Sequence, residues 1–181
     1  MASDLPQVQR YITTHDASGK SVIDQSIPTA APWYSLPDNS AIFAQCYATR
    51  GFPVNLSGDK DLQQYREFLD DAPGLVVSNG TVLRYVDIGP NVTSPIHRTV
   101  SVDFGLVLEG EVELILDSGE TRILKRGDVC VQRATMHAWR NTSNTSSARL
   151  LFVLQPARPF KIGGEDAKED YGGMAGVKAS S

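Results

Sequence analysis

GPNVTSPIHRTVSVDFGLVLEGEVELILDSGETRILKRGDVCVQRATMHAWRN, residues 89–141, is the stretch that decides the fold. Within it short apolar runs recur at Phe104–Leu108, Glu111–Leu116, Thr121–Leu124, Asp128–Gln132 and His137–Asn141. Turns fall between them at Gly110, Asp117–Gly119 and Arg126–Gly127, where glycine and aspartate adopt backbone conformations that most residues avoid. Strands spaced about 8 to 12 residues apart, with no helix between them, predict a β-sandwich or barrel. The pattern extends in both directions. Thr81–Ile88 and Leu75–Val77 flank Ser78-Asn79-Gly80 and predict a hairpin, and Ala148–Leu154 follows the polar turn Asn141–Ser146.

Farther toward the N-terminus, Gln7–Thr14 and Ser21–Asp24 flank the turn residues Asp16–Lys20, which predicts another hairpin. Ile27–Asp38 carries Pro28, Pro32 and Pro37 and is expected to be an extended surface arm, because proline lacks the donor that a central strand needs. Ala41–Thr49 reads as a strand. Asp59–Asp71 is the one persuasive helix, with Leu62, Tyr65 and Leu69 on a single face. Gly163–Ser181, rich in Gly, Ala, Ser and charge, has little to bury and is expected to be mobile or draped. The fold class is therefore all-β, one sandwich or barrel with extra N-terminal strands and one short helix. Residues 1–74 supply strands, arm and helix packing on the barrel, 75–160 the barrel, and 161–181 a flexible C-terminal tail.

The chain has 181 residues, about one domain's worth. Its 41% hydrophobic and 21% charged residues suffice for a real core and argue against a wholly disordered chain. A net charge of −4 leaves no footprint for nucleic acid. Met1–Thr14 has no apolar leader segment and no apolar run nears the roughly 20 residues of a membrane span, so a cytoplasmic protein is expected. The two cysteines, Cys46 and Cys130, make neither a disulfide framework nor a cysteine zinc site. Cys130 reads as a small buried apolar residue.

Two segments of this stretch resemble the cupin superfamily. In the first motif Gly89 opens, Pro95 stands where the first histidine belongs, His97 matches the second, and Asp103 takes the acid position six residues before Gly110. In the second, Gly127 opens and His137 precedes Asn141 by three residues, while QRATM departs from the Pro-x-Gly form and is one residue short. The resemblance implies a jelly-roll barrel with a site inside it. It is closest to small single-domain cupins of bacteria and fungi, some encoded among fungal polyketide pathway genes, which implies an aromatic or polyketide-type substrate.

The resemblance also implies a divalent metal, Zn, Fe, Mn or Ni, held by His97, Asp103 and His137. Two imidazoles and one carboxylate with open positions are the donors of non-haem iron sites. One uninterrupted strand from His97 to Asp103 would separate them by roughly 20 Å, so the set requires the chain to turn between them. The alternative is a metal-free polar pocket, with Asp103 capping a turn. Arg84 shares a strand face with Val82, Val86 and Ile88, and a guanidinium among apolar side chains needs an anion. That anion is a substrate carboxylate or phenolate, or else a protein acid, and in the opposite register Arg84 points outward. Trp139 shares the face of His137 and either walls the pocket or fills the core, and Arg133 either lines the barrel mouth or is solvated.

The expected function is a small metal-dependent enzyme using His97, His137 and Arg84 for a redox-neutral step such as dehydration, cyclisation, isomerisation or decarboxylation. An Fe(II) dioxygenase and a non-catalytic binding barrel are the alternatives. A homodimer built with the N-terminal strands is expected, since open sheet edges need cover.

Overall fold

A computed structural model describes residues 3–180. The N-terminal strands are β1 (Thr13–His15), β2 (Ser21–Ile23), β3 (Trp33–Ser35) and β4 (Ile42–Arg50). After a 3-10 turn at Ser57–Asp59 and helix α1 (Lys60–Asp70) come β5 (Gly80–Ile88), β6 (Ser101–Glu109), β7 (Glu111–Leu116), β8 (Thr121–Lys125) and β9 (Val129–Arg133). The chain ends with β10 (His137–Asn141), β11 (Ala148–Pro156), β12 (Lys161–Ile162) and β13 (Glu165–Asp166).

Two antiparallel sheets face each other. One has six strands in the order β3-β4-β5-β11-β6-β9 and the other three in the order β10-β7-β8. Alternation along β5 and β11 turns Val82, Ile88, Leu150, Phe152 and Leu154 into the interior, which is the physical basis of the barrel. The predominantly β architecture matches the expectation. The β1–β2 hairpin forms, pairing Thr13 with Ile23 and His15 with Ser21.

Four expectations need correction. The proline-rich arm is not wholly surface loop: Trp33–Ser35 pairs with Ile42–Ala44 as an edge strand, and Ile27, Ala31 and Leu36 are buried. Edge position is where the constraint from neighbouring prolines is tolerated. Leu75–Val77 is not a hairpin strand; these three buried residues end in a turn closed by the Gly80 amide on the Val77 carbonyl, 3.1 Å. The helix buries Leu62, Tyr65 and Phe68, with Leu69 only half-buried, so the apolar face is rotated from the one read in sequence.

The last correction concerns the tail. Residues 161–181, expected to be flexible, have fixed partners along the described part of the segment. Arg98 and Asp170 exchange backbone hydrogen bonds of 2.6 and 3.0 Å, Lys178 pairs with Asp71, and Met174 is only 8% exposed. Gly172 adopts φ +59°, and a Cβ there would lie 2.0 Å from the Ile96 carbonyl oxygen, so only glycine admits this close approach. Backbone pairing and one buried side chain hold what composition alone does not.

The N-terminal region is built into the large sheet. Strand β4 lies between β3 and β5 in the large sheet, α1 packs on it, and Val8, Ala31 and Trp33 cover the outer-face residues Ala44 and Cys46. No helix among the described residues is long and apolar enough to cross a membrane.

Candidate active site

Between the sheets lies a cavity with about 580 Å³ of empty space, mouth included. Its walls are mostly apolar, among them Phe43, Leu75, Phe152 and Met174. Every site residue singled out in the sequence lines it: His97, His137, Asp103 and Arg84.

His97 and His137 form an isolated antiparallel bridge, each amide donating to the other's carbonyl at 2.8 and 2.9 Å. Their rings consequently stand side by side, centroids 4.3 Å apart. This pairing attaches residue 97 to the edge of the small sheet, whereas Asp103 belongs to β6 of the large one. The chain crosses between sheets through a bend at Val100, which is the turn the sequence required.

Each imidazole is fixed by its own backbone. His97 Nδ1 lies 2.8 Å from the Pro95 carbonyl and His137 Nδ1 lies 2.9 Å from the Thr135 carbonyl. A carbonyl only accepts, so both Nδ1 atoms carry hydrogen and the neutral rings keep a lone pair on Nε2. Pro95, standing where the family motif has a histidine, thus serves through its oxygen. Burial lowers the pKa of His97, and burial together with the neighbouring His97 pushes His137 down to about 3.

Asp103 is 3% exposed. Ser101 Oγ donates to its Oδ1 at 2.5 Å and Thr99 Oγ1 to its Oδ2 at 3.2 Å. Burial pushes this carboxyl up to about 6, outweighing the two hydroxyls, which favour the charged form. Strand alternation puts residues 101 and 103 on one face, so the Ser101 partner was legible from period two. Gln132, opposite Asp103 across β6 and β9, is a further wall residue that the sequence reading missed.

A metal held by His97, Asp103 and His137 meets a mixed test. The imidazole half fits, since an Nδ1 tied to a carbonyl and a free Nε2 are how metal-ligating histidines are oriented. The carboxylate half does not. Among the described residues no three His, Cys, Asp or Glu side chains group closely enough to hold a metal ion. The expected three-ligand set is not assembled in this arrangement.

Arg84 does face inward, 2% exposed, with Nη2 donating to the Gly74 carbonyl at 3.0 Å and the guanidinium 5.0 Å from the Phe43 ring. No protein carboxylate pairs with it among the described residues. Trp139 walls the cavity, edge-on to both His137 and Phe152 at centroid distances of 6.2 and 5.9 Å. Arg133 is exposed, the solvated reading. Met174 carried no signal in sequence, lying in a glycine-rich tail without apolar periodicity. Asn141 serves the scaffold: its Nδ2 bonds the Ile88, Gly89 and Ser146 carbonyls at 2.9, 3.1 and 2.9 Å, tying strand ends together.

Comparison with known proteins agrees with this architecture. The family model described as Cupin domain matches residues 84–154. Phomopsin biosynthesis cluster protein D of Diaporthe leptostromiformis is 48% identical, over 90% of this chain and 85% of its own. Oryzines biosynthesis cluster protein J of Aspergillus oryzae is 43% identical over 93% and 94%. The cupin-domain-containing oxidoreductase virC of Hypocrea virens is 43% identical over 93% and 86%. Identity at this level across nearly the whole length places the chain in the cupin family, with relatives named as proteins of fungal biosynthetic clusters.

Proposed function

We propose that the protein is an enzyme of secondary metabolism catalysing a redox-neutral proton-transfer step, such as dehydration or isomerisation, on a small, largely apolar, oxygenated intermediate. The observation that carries this reading is Asp103, a carboxyl with a pKa of about 6, in the same largely apolar cavity as two neutral imidazoles. A general base works best when its pKa lies near the working pH, and Asp103 is the group that meets this condition.

The imidazole roles follow from their tautomers. With hydrogen on Nδ1, each Nε2 accepts a hydrogen bond from a substrate hydroxyl and has no proton to give to a carbonyl. One ring of the pair therefore orients the hydroxyl, whose single hydrogen serves one Nε2, and the other ring accepts from a second donor on the substrate. The Asp103 carboxylate takes a proton from the carbon beside a substrate carbonyl, and the C–H electron pair passes into the carbonyl oxygen as an enolate. Return of that proton to another carbon isomerises the substrate. Its return to a departing β-hydroxyl releases water. Apolar walls exclude bulk water and strengthen each of these interactions.

A second reading, an oxidoreductase with a divalent metal on His97 and His137, draws support from the oxidoreductase names of several relatives and from the two free Nε2 atoms. Turnover of a β-hydroxy ketone of polyketide type, measured anaerobically in chelator, separates the two. Activity that persists there, falls at least about 100-fold in Asp103→Asn and rises with pH through about 6 supports the acid–base reading. Strict dependence on oxygen and iron overturns it.

A further inference from the structure

We infer that the cavity takes its substrate as an organic anion, with the charged oxygen seated on Arg84. The inference rests on the acid–base reading only in calling the ligand a substrate. The anion site itself follows from the guanidinium's surroundings.

Arg84 is fixed at mid-strand in β5 and lines both the main cavity and a smaller one beneath residues 176–178. Of its nitrogens only Nη2 has a hydrogen-bond partner, the Gly74 carbonyl, and the buried Nε has none among the described residues. The aromatic ring of Phe43 is a weak substitute for a counter-ion. A buried cation without an anion is unfavourable, and a guanidinium keeps its charge, so with no carboxylate against it among the described residues the cavity offers its place to an external anion. Other unpartnered polar atoms point the same way: Trp139 Nε1 and both side-chain polar atoms of Gln132 are buried without hydrogen bonds on the walls of the same cavity. These groups supply donors for a second oxygen on the ligand.

The register sets the span. Arg84 lies opposite Phe152 of β11, and Asp103 of β6 lies opposite Leu154 of the same strand, two residues farther along. That offset puts the two Cα atoms about 12 Å apart, so the two groups meet a ligand at separate places on the cavity wall. The apolar residues between them, Phe152 and Leu154, receive its hydrocarbon body.

Isothermal titration with benzoate, 3-phenylpropionate and 4-nitrophenolate, against benzamide, 3-phenylpropionamide and 4-nitroanisole, tests the inference without turnover. The expected result is at least tenfold tighter binding of an anion than of its neutral counterpart, and loss of that preference in Arg84→Met. Equal affinity for charged and neutral members, no binding of any anion at millimolar concentration, or a preference that survives in folded Arg84→Met overturns it. Should Arg84→Met fail to fold, the wild-type comparison decides together with Trp139→Phe, which is expected to weaken all the ligands alike while keeping the preference for charge. Anion binding without any turnover would remove the acid–base reading and leave this inference standing, and turnover without a charge preference would do the reverse.

Discussion

Two arginines on adjacent strands are both removed from water, and their surroundings differ completely. Arg149 of β11, 7% exposed, holds Asp87 of β5 through two hydrogen bonds of 2.7 and 2.6 Å, bonds the Pro6 carbonyl at 2.7 Å, and stacks 4.8 Å from the Trp33 ring. Arg84, three residues before Asp87 and on the opposite face of β5, has one carbonyl and one ring. Burial does not distinguish them; counter-charge does. The satisfied arginine fastens the N-terminal segment to the outside of the large sheet. Its unsatisfied neighbour faces the cavity, where a ligand can reach it.

Breaking the paired arginine is expected to cost the most. Asp87→Ala leaves Arg149 buried without its carboxylate and should destabilise the fold by about 3–5 kcal/mol. Chemical denaturation of the variant measures it, and a loss under about 1 kcal/mol would remove the contrast between the two sites.

The next effect is in pH. Asp103 has a folded pKa of about 6, raised above its ordinary 3.8, so the native state holds its proton more tightly than the unfolded chain does. Its contribution is fully favourable below the unfolded value and is lost as pH rises through the folded one. At about 1.4 kcal/mol per unit, the loss is on the order of 2–3 kcal/mol by pH 7, and Asp103→Asn should recover it. Comparing wild-type and variant denaturation at pH 4 and pH 7 isolates this contribution, and a difference independent of pH would contradict it. His137 works in the other direction. Its folded pKa of about 3 lies below the ordinary 6.5, so its stabilisation is present above 6.5 and is lost as pH falls through 3. The imidazole C–H resonances of His137 should stay at their neutral positions down to pH 5, and a midpoint near 6.5 would refute the burial argument.

Arg84→Met carries the smallest stability change. Removing a buried charge that has no partner should leave unfolding free energy within about 1 kcal/mol of wild type or raise it. Thermal denaturation without ligand checks this. A loss like that of Asp87→Ala would mean that Arg84 is a structural residue.

Legibility in the sequence followed the range of the physics. The strand rhythm from residue 81 to 154 was readable because alternation and turn chemistry act over a few residues, and the observed strands lie close to the runs read there. The inward face of Arg84 was readable for the same reason, from its parity with Val82 and Ile88. Leu75–Val77 misled because a short apolar run looks alike as a strand and as a buried connection. Met174 left no trace, since its burial depends on where a tail of 20 or so residues meets a barrel mouth.

Chain chemistry by itself determined an all-β chain with the rhythm of a sandwich or barrel, because periodicity and turn residues are local properties, while the motif spacings carried the resemblance that implied His97, His137 and Asp103 inside it. Tertiary structure alone decided what those residues are able to do. The bend at Val100 and the His97–His137 bridge bring the two rings together, while burial raises the pKa of Asp103 against the hydrogen bonds it accepts from Ser101 and Thr99. Whether Arg84 met an acid was settled by three dimensions too. Pairing of charges depends on distances across sheets, and an ion pair such as Asp87–Arg149 forms only where two strands happen to bring both partners to the same face.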